Sequence, residues 1–125
     1  MNDFFRQCGF PAPRPKLTGA FLVALLPDEA QVDGTLQREI ERAWGTPSGY
    51  VDFARPTRTI TEALVRGGLH VVDLLPAFQR ESARMKLYKP RDTHWNRAGN
   101  RLAADVLAPA VRELLAARPS TPRMP

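Results

Sequence analysis

"LVRGGLHVVDLLPAF", residues 64–78, decides the fold. A helix ends in this stretch, a short apolar strand crosses it, and a further segment opens at Pro76. Upstream, "RPTRTITEALVRGG" predicts a helix: Pro56 suits its first turn, Ile60, Ala63 and Leu64 form its buried stripe, and Gly67-Gly68 ends it. "LHVVDLL" is then a strand. Further upstream, "DGTLQREIERAWG" predicts another helix, capped by Asp33 or Thr35, with Leu36, Ile40 and Trp44 on one face and Gly45 as terminator. "TPSGYVDFA" joins the two helices as a loop. Before them, "GAFLVALLP" is a continuous apolar run closed by Pro27, the habit of a strand buried on both faces of a parallel sheet. Strand, helices, strand is a crossover unit, so the two strands should be parallel with a right-handed connection.

Downstream, "LLPAFQRESARM" is a short helix or loop. The last helix begins near Asn96 and runs to about Ala117, with Leu102, Val106, Ala110, Val111, Leu114 and Leu115 on its apolar face. Pro109 lacks an N–H for Asp105 and should bend it. Residues 1–17 are Pro-rich and irregular, residues 18–116 form the folded part, and residues 117–125 read as a tail. The class is therefore α/β, with parallel strands flanked by helices.

The chain of 125 residues is 43% hydrophobic and 25% charged, which suits one domain or a piece of a larger one. The net charge of +5 contains no block of consecutive basic residues, so a solvated basic surface is expected and nucleic acid is not the expected partner. The single cysteine, Cys8, makes neither an intrachain disulfide nor a zinc cluster, and with two histidines no metal site or cofactor is expected. "MNDFFRQCGFPAPRPK" lacks the basic-then-apolar order of a signal peptide, and "AFLVALLP" is too short to span a bilayer. The expectation is a soluble chain, its compartment left open.

Chemistry concentrates in "YKPRDTHWNRAGN", residues 88–100. A carboxylate beside an imidazole fixes its tautomer and stabilises the imidazolium formed when the ring takes a proton. Asp92 and His94 can meet only if the backbone is extended or turned, because i and i+2 diverge on a helix. A loop before the last helix would satisfy that, with Asn96 as the cap. The structural alternative makes Asp92 a turn residue and His94 an exposed ring. Trp95 could wall a substrate pocket or pack beside the helix start. Asp73 ends a strand but suits capping of the next helix, and His70 should be exposed. Arg84, Lys86, Lys89 and Arg91 surround the motif with positive charge.

"LYKPRDTHWNRAGNRLAADVLAPAV" resembles the last block of the SGNH (GDSL-type) hydrolases, where an Asp and a His precede the final helix. "LVALLPDEAQVD" resembles an earlier strand and turn of such proteins, and "LVRGGLHVVDLLPAF" their next helix, strand and D-L-L-P segment. The resemblance covers about residues 20–116. It implies a partial three-layer, flavodoxin-like SGNH fold, with His94 as general base and Asp92 as its orienting acid. Position 91 is Arg, so the pair departs from the commoner D-x-x-H spacing. The D-x-H form resembles relatives of the alginate O-acetyltransferases, which leaves ester hydrolysis and O-acyl transfer both open. The implied partner is an ester or acylated substrate, a carbohydrate among the candidates.

The family's Gly-Asp-Ser block does not occur in this sequence. Ser48 lies in a T-P-S-G turn, Ser82 in a charged segment and Ser120 in the tail, none on a strand-to-helix elbow. Asn2-Asp3 is similar to part of the family's Gly-x-Asn-Asp oxyanion block, which makes Asn2, with Trp95 and Asn96, a candidate oxyanion or substrate contact. The expectation is a truncated chain that supplies the Asp–His pair and awaits a missing N-terminal half. Its rival is a non-catalytic remnant or basic binding module.

Overall fold

The computed structural model describes residues 21–90 and 92–117. Along the chain these form β1 (Leu22–Leu25), α1 (Glu29–Val32), α2 (Gly34–Ala43), α3 (Arg55–Arg66), β2 (His70–Asp73), α4 (Leu75–Ser82), β3 (Tyr88–Lys89), β4 (Asp92–Trp95) and α5 (Arg97–Ala116). Strands β1 and β2 pair in parallel, from Leu22 opposite His70 to Leu25 opposite Asp73. Helix α3 packs against β2 and α5 against β1, which gives the expected α/β arrangement of a parallel sheet with flanking helices.

The strands depart from expectation in burial. Each residue of β1 is only half-buried, as are the last three of β2. Among the described residues the parallel sheet has two strands, so each lacks a neighbour on its outer side. A continuous apolar run gives a strand its type, but other elements determine how much of it is covered.

Helix ends follow local chemistry. Asp33 caps α2 by accepting from the Thr35 and Leu36 N–H groups at 2.8 and 3.2 Å. "DEAQVD", expected as a turn, is the short helix α1. Its capping box joins Asp28 and Gln31: the Ala30 N–H donates to Asp28, and the Asp28 N–H donates to the Gln31 amide oxygen. Trp44, expected on the buried face of α2, is its C-cap and stands 66% exposed. In α3 the buried positions are Thr57 and the expected Leu64, whereas Ile60 is exposed and Ala63 half-buried. Val111 and Leu115 of α5 are exposed too, and its buried residues are Gly99 and Ala103. The assigned helix runs through Pro109.

The core is centred on α4. Leu74 and Phe78 are fully buried, joined by Leu75 and by Val32, Leu87, Tyr88 and Ala103 from three other segments. Burying a side chain of this size contributes about 1.5–3 kcal/mol. This core therefore fixes the position of the 86–96 segment against α4 and the start of α5. The segments 1–17 and 118–125, and with them Asn2, Cys8 and Ser120, lie outside the described residues, as does Arg91.

Candidate active site

The stretch expected as a loop is a short antiparallel ribbon. Tyr88 lies opposite Trp95 and Lys89 opposite Asp92, with an irregularity between Tyr88 and Lys89. Alternate residues of a strand share a face. The extended backbone of β4 therefore turns Asp92 and His94 to the same side. His94 Nδ1 lies 2.5 Å from Asp92 Oδ1, and the His94 backbone N–H donates to the same oxygen at 3.0 Å. That backbone N–H, and then the imidazole, hold the Asp92 carboxyl below the usual carboxylate range. The His94 side chain is 79% exposed and that of Asp92 40%, so the pair is on the surface. With Nδ1 turned to the carboxylate, the nitrogen left for other chemistry is Nε2.

His94 lines an open cleft of about 440 Å³ together with Leu26, Pro27, Lys89, Thr93, Trp95 and Asn100. Leu26 and Pro27 follow directly on β1, so this wall lies at the carboxyl end of a parallel strand. Ligands of open α/β sheets bind at that end. The opposite wall is the ribbon. A buried hydrogen bond joins the two: the Tyr88 hydroxyl donates to the Pro27 carbonyl at 2.8 Å. Burial pushes the Tyr88 phenol up to about 12, so it remains a donor throughout the neutral range.

Trp95 serves both roles considered for it. It lines the cleft, and its ring lies 4.9 Å from that of Phe78 at a tilt of 37°. Asn96 caps α5 through the Gly99 N–H at 3.0 Å. Its side-chain NH₂ faces the Lys86 and Tyr88 carbonyls, so its amide is engaged with backbone rather than directed into the cleft. Gly99 is required for this approach: a Cβ there would lie 2.4 Å from the Leu87 carbonyl oxygen and 3.0 Å from Trp95 Cβ.

The remaining candidates disperse. Asp73 accepts from the Leu75 N–H at 2.9 Å, but the N-cap of α4 is Leu74, so Asp73 stands one residue before the expected capping position. His70 is exposed at the start of β2. Ser82 donates to the Gln79 carbonyl at 2.9 Å and lines a separate depression beside Val32, while Ser48 lines another beside Arg42. Neither lines the cleft that holds His94. Of the basic residues near the motif, Lys89 lines the cleft, Lys86 lies 3.4 Å from Asp33, and Arg84 lies 3.9 Å from Glu81. Among the described residues no cluster of His, Cys, Asp and Glu could hold a metal ion, and no helix is long and apolar enough to cross a membrane.

Tyr88, Gly99 and the Leu26–Pro27 wall were not singled out from sequence. The signal for Gly99 was present, a glycine in the first turn of a helix, where it is otherwise unfavourable. Tyr88 and Pro27 lie 61 positions apart, and no local pattern links them.

The model of the family described as "SGNH hydrolase-like domain, acetyltransferase AlgX" matches residues 22–123, most of the chain. No curated protein matches the chain. No solved structure matches it either.

Proposed function

The chain belongs to the SGNH hydrolase-like, AlgX-type acetyltransferase domain family, and from that premise we propose that Asp92 and His94 are the acid–base half of an acyl-transfer site. The observation that carries this reading is the Nδ1 contact with Asp92, which leaves Nε2 of an exposed ring beside an open cleft. In this role Nε2 accepts the proton of an attacking hydroxyl, Asp92 stabilises the imidazolium, and the proton passes to the leaving alcohol. Such general-base help is worth about 10²- to 10⁴-fold in rate. The substrates are esters or O-acylated molecules, carbohydrates among them. The same base can activate either water or a second alcohol as acceptor, so hydrolysis and O-acyl transfer share this machinery.

The nucleophile in this reading is a serine of a Gly-Asp-Ser segment not contained in this sequence, supplied in cis or by a partner chain. Ser82 is committed to the Gln79 carbonyl, and neither it nor Ser48 lines the cleft. The chain alone should give no covalent labelling by a fluorophosphonate probe and only background turnover of p-nitrophenyl acetate. Adding a Gly-Asp-Ser segment should restore both, and His94→Ala should abolish turnover again. Stoichiometric labelling of the chain alone that Ser48→Ala or Ser82→Ala stops would overturn the assignment. The lack of a serine lining the cleft among the described residues favours one second reading, a non-catalytic binding module. In that case complementation restores nothing.

A further inference from the structure

The β3–β4 ribbon is too short to hold its own shape. Strand β3 has two residues and β4 four, with an irregularity between them. Isolated two-stranded pairings are marginal even at full length. Yet the ribbon carries the Asp92–His94 contact, whose geometry depends on β4 remaining extended.

Asn96 supplies the missing constraint. Its backbone N–H donates to the Leu87 carbonyl at 2.9 Å. Its side-chain NH₂ donates to the Lys86 carbonyl at 2.7 Å and faces the Tyr88 carbonyl at 3.3 Å. Three successive carbonyls of the opposing segment are thus held by one residue, which extends the ladder past the last strand pair. The other side of the same amide accepts from the Gly99 N–H at 3.0 Å, and the Asn96 carbonyl accepts from Asn100. The amide is thereby fixed to the start of α5, a helix of 20 residues.

We infer that Asn96 is a positioning residue for His94: its two-sided amide clamps the ribbon to α5 and so holds β4 in the conformation that brings His94 Nδ1 to Asp92. The inference rests on the acyl-transfer reading for its consequence in catalysis, but its geometry can be tested without any reaction.

Two substitutions separate clamping from capping. Asn96→Ser keeps a good cap but is too short to reach the carbonyls. Asn96→Asp keeps the cap and the size, and a carboxylate is favourable at a helix start. It has no donors and turns an anion toward two carbonyl oxygens. The measurement is the ring ¹⁵N signature of His94 in the full chain, with exposed His70 as the internal reference. In the parent chain His94 should hold its neutral proton on Nδ1. In both variants that preference should be lost, with the His70 signature and the helical circular dichroism retained. In the complemented enzyme, turnover should fall about 10²-fold with little change in KM, the cost of misplacing a catalytic group by about 1 Å. Asn96→Asp keeps the test decisive if Asn96→Ser does not fold. An unchanged His94 signature in a folded variant overturns the inference, as does a parent chain without the Nδ1–H form. If the signature depends on Asn96 while the complemented chain shows no turnover, the positioning role holds and the acyl-transfer reading fails.

Discussion

Gly99→Ala should destabilise the domain, although alanine is the better helix former. The added Cβ would sit 2.4 Å from the Leu87 carbonyl oxygen, 3.0 Å from Trp95 Cβ and 3.3 Å from Trp95 Cγ. The first of these is backbone and accepts the Asn96 N–H at 2.9 Å, so it cannot swing aside as a side-chain tip would. Three terms compete. Replacing Gly by Ala in a helix gains about 1 kcal/mol. Overpacking costs about 1–3 kcal/mol, toward the upper end against rigid backbone. Displacing Leu87 forfeits the bond to Asn96, about 1 kcal/mol. The net loss is about 2–3 kcal/mol, which for a domain of about 100 residues lowers Tm by roughly 10–20 °C. Circular dichroism melts of the two proteins at matched concentration measure it. A Tm that is unchanged or higher in Gly99→Ala would show that α5 does not press on Leu87, and with it the account of how the ribbon is held would fail.

Tyr88→Phe keeps the ring against Phe78 but leaves the buried Pro27 carbonyl unpaired, so a loss of about 1–3 kcal/mol is expected. Urea denaturation should show it as a lower midpoint with unchanged slope, and an equal midpoint would rule out the link between the cleft walls. Glu41 is buried, and its carboxylate accepts from the Val51 and Gly49 N–H groups, which hold it below the usual range. Its contribution is therefore fully present above the unfolded value of about 4.3 and lost as pH falls through the lower folded value. Tm profiles of the parent and Glu41→Gln should converge with acidification across that window, and parallel profiles would exclude the effect. Asp92 follows the same sign: its carboxyl resonance should titrate below the free value of about 3.9 in the parent chain, and a midpoint at or above it would mean that His94 does not engage it in solution.

What was legible in the sequence was what local pattern encodes. The apolar runs at 22–25 and 70–73 are strands, their pairing is parallel, and Asp33 and Asn96 cap the helices that follow them. Those features depend on a residue and its near neighbours. Burial was less legible, because coverage is decided by segments distant in sequence. Trp44 has the right spacing for a core face, but α2 ends before it, and its ring points to solvent. Glu41 shows the reverse. A charged residue in an amphipathic helix reads as exposed, yet the 46–51 segment folds over it and gives its carboxylate two backbone donors, a burial that paired polar contacts permit. The ribbon itself was missed because a two-residue strand with an irregularity leaves no period to read.

The spacing of the acid and the base and the conformation of β4 require one another. On an extended strand, positions i and i+2 share a face, while i and i+3 lie on opposite faces. An acid three residues before its histidine could not meet it from a straight strand and would need a turn between them. Here the acid stands two residues before, and the segment from Asp92 to Trp95 is extended. Trp95 packs its ring 4.9 Å from that of Phe78, so the strand is fastened to the core by the residue directly after the histidine. Asn96 and Gly99 then complete the attachment, one by hydrogen bonds and the other by the absence of a side chain. The run from Asp92 to Gly99 thus divides by position. Its first three residues present the polar pair, and the rest hold that pair to the domain. Inserting a residue between Asp92 and His94 should therefore break the contact while leaving the packing of Trp95 and the cap of α5 intact. In the ring ¹⁵N spectrum of such an insertion variant, His94 should behave like His70 while the melt stays cooperative; survival of the Nδ1–H form would refute the strand-based account of the pair.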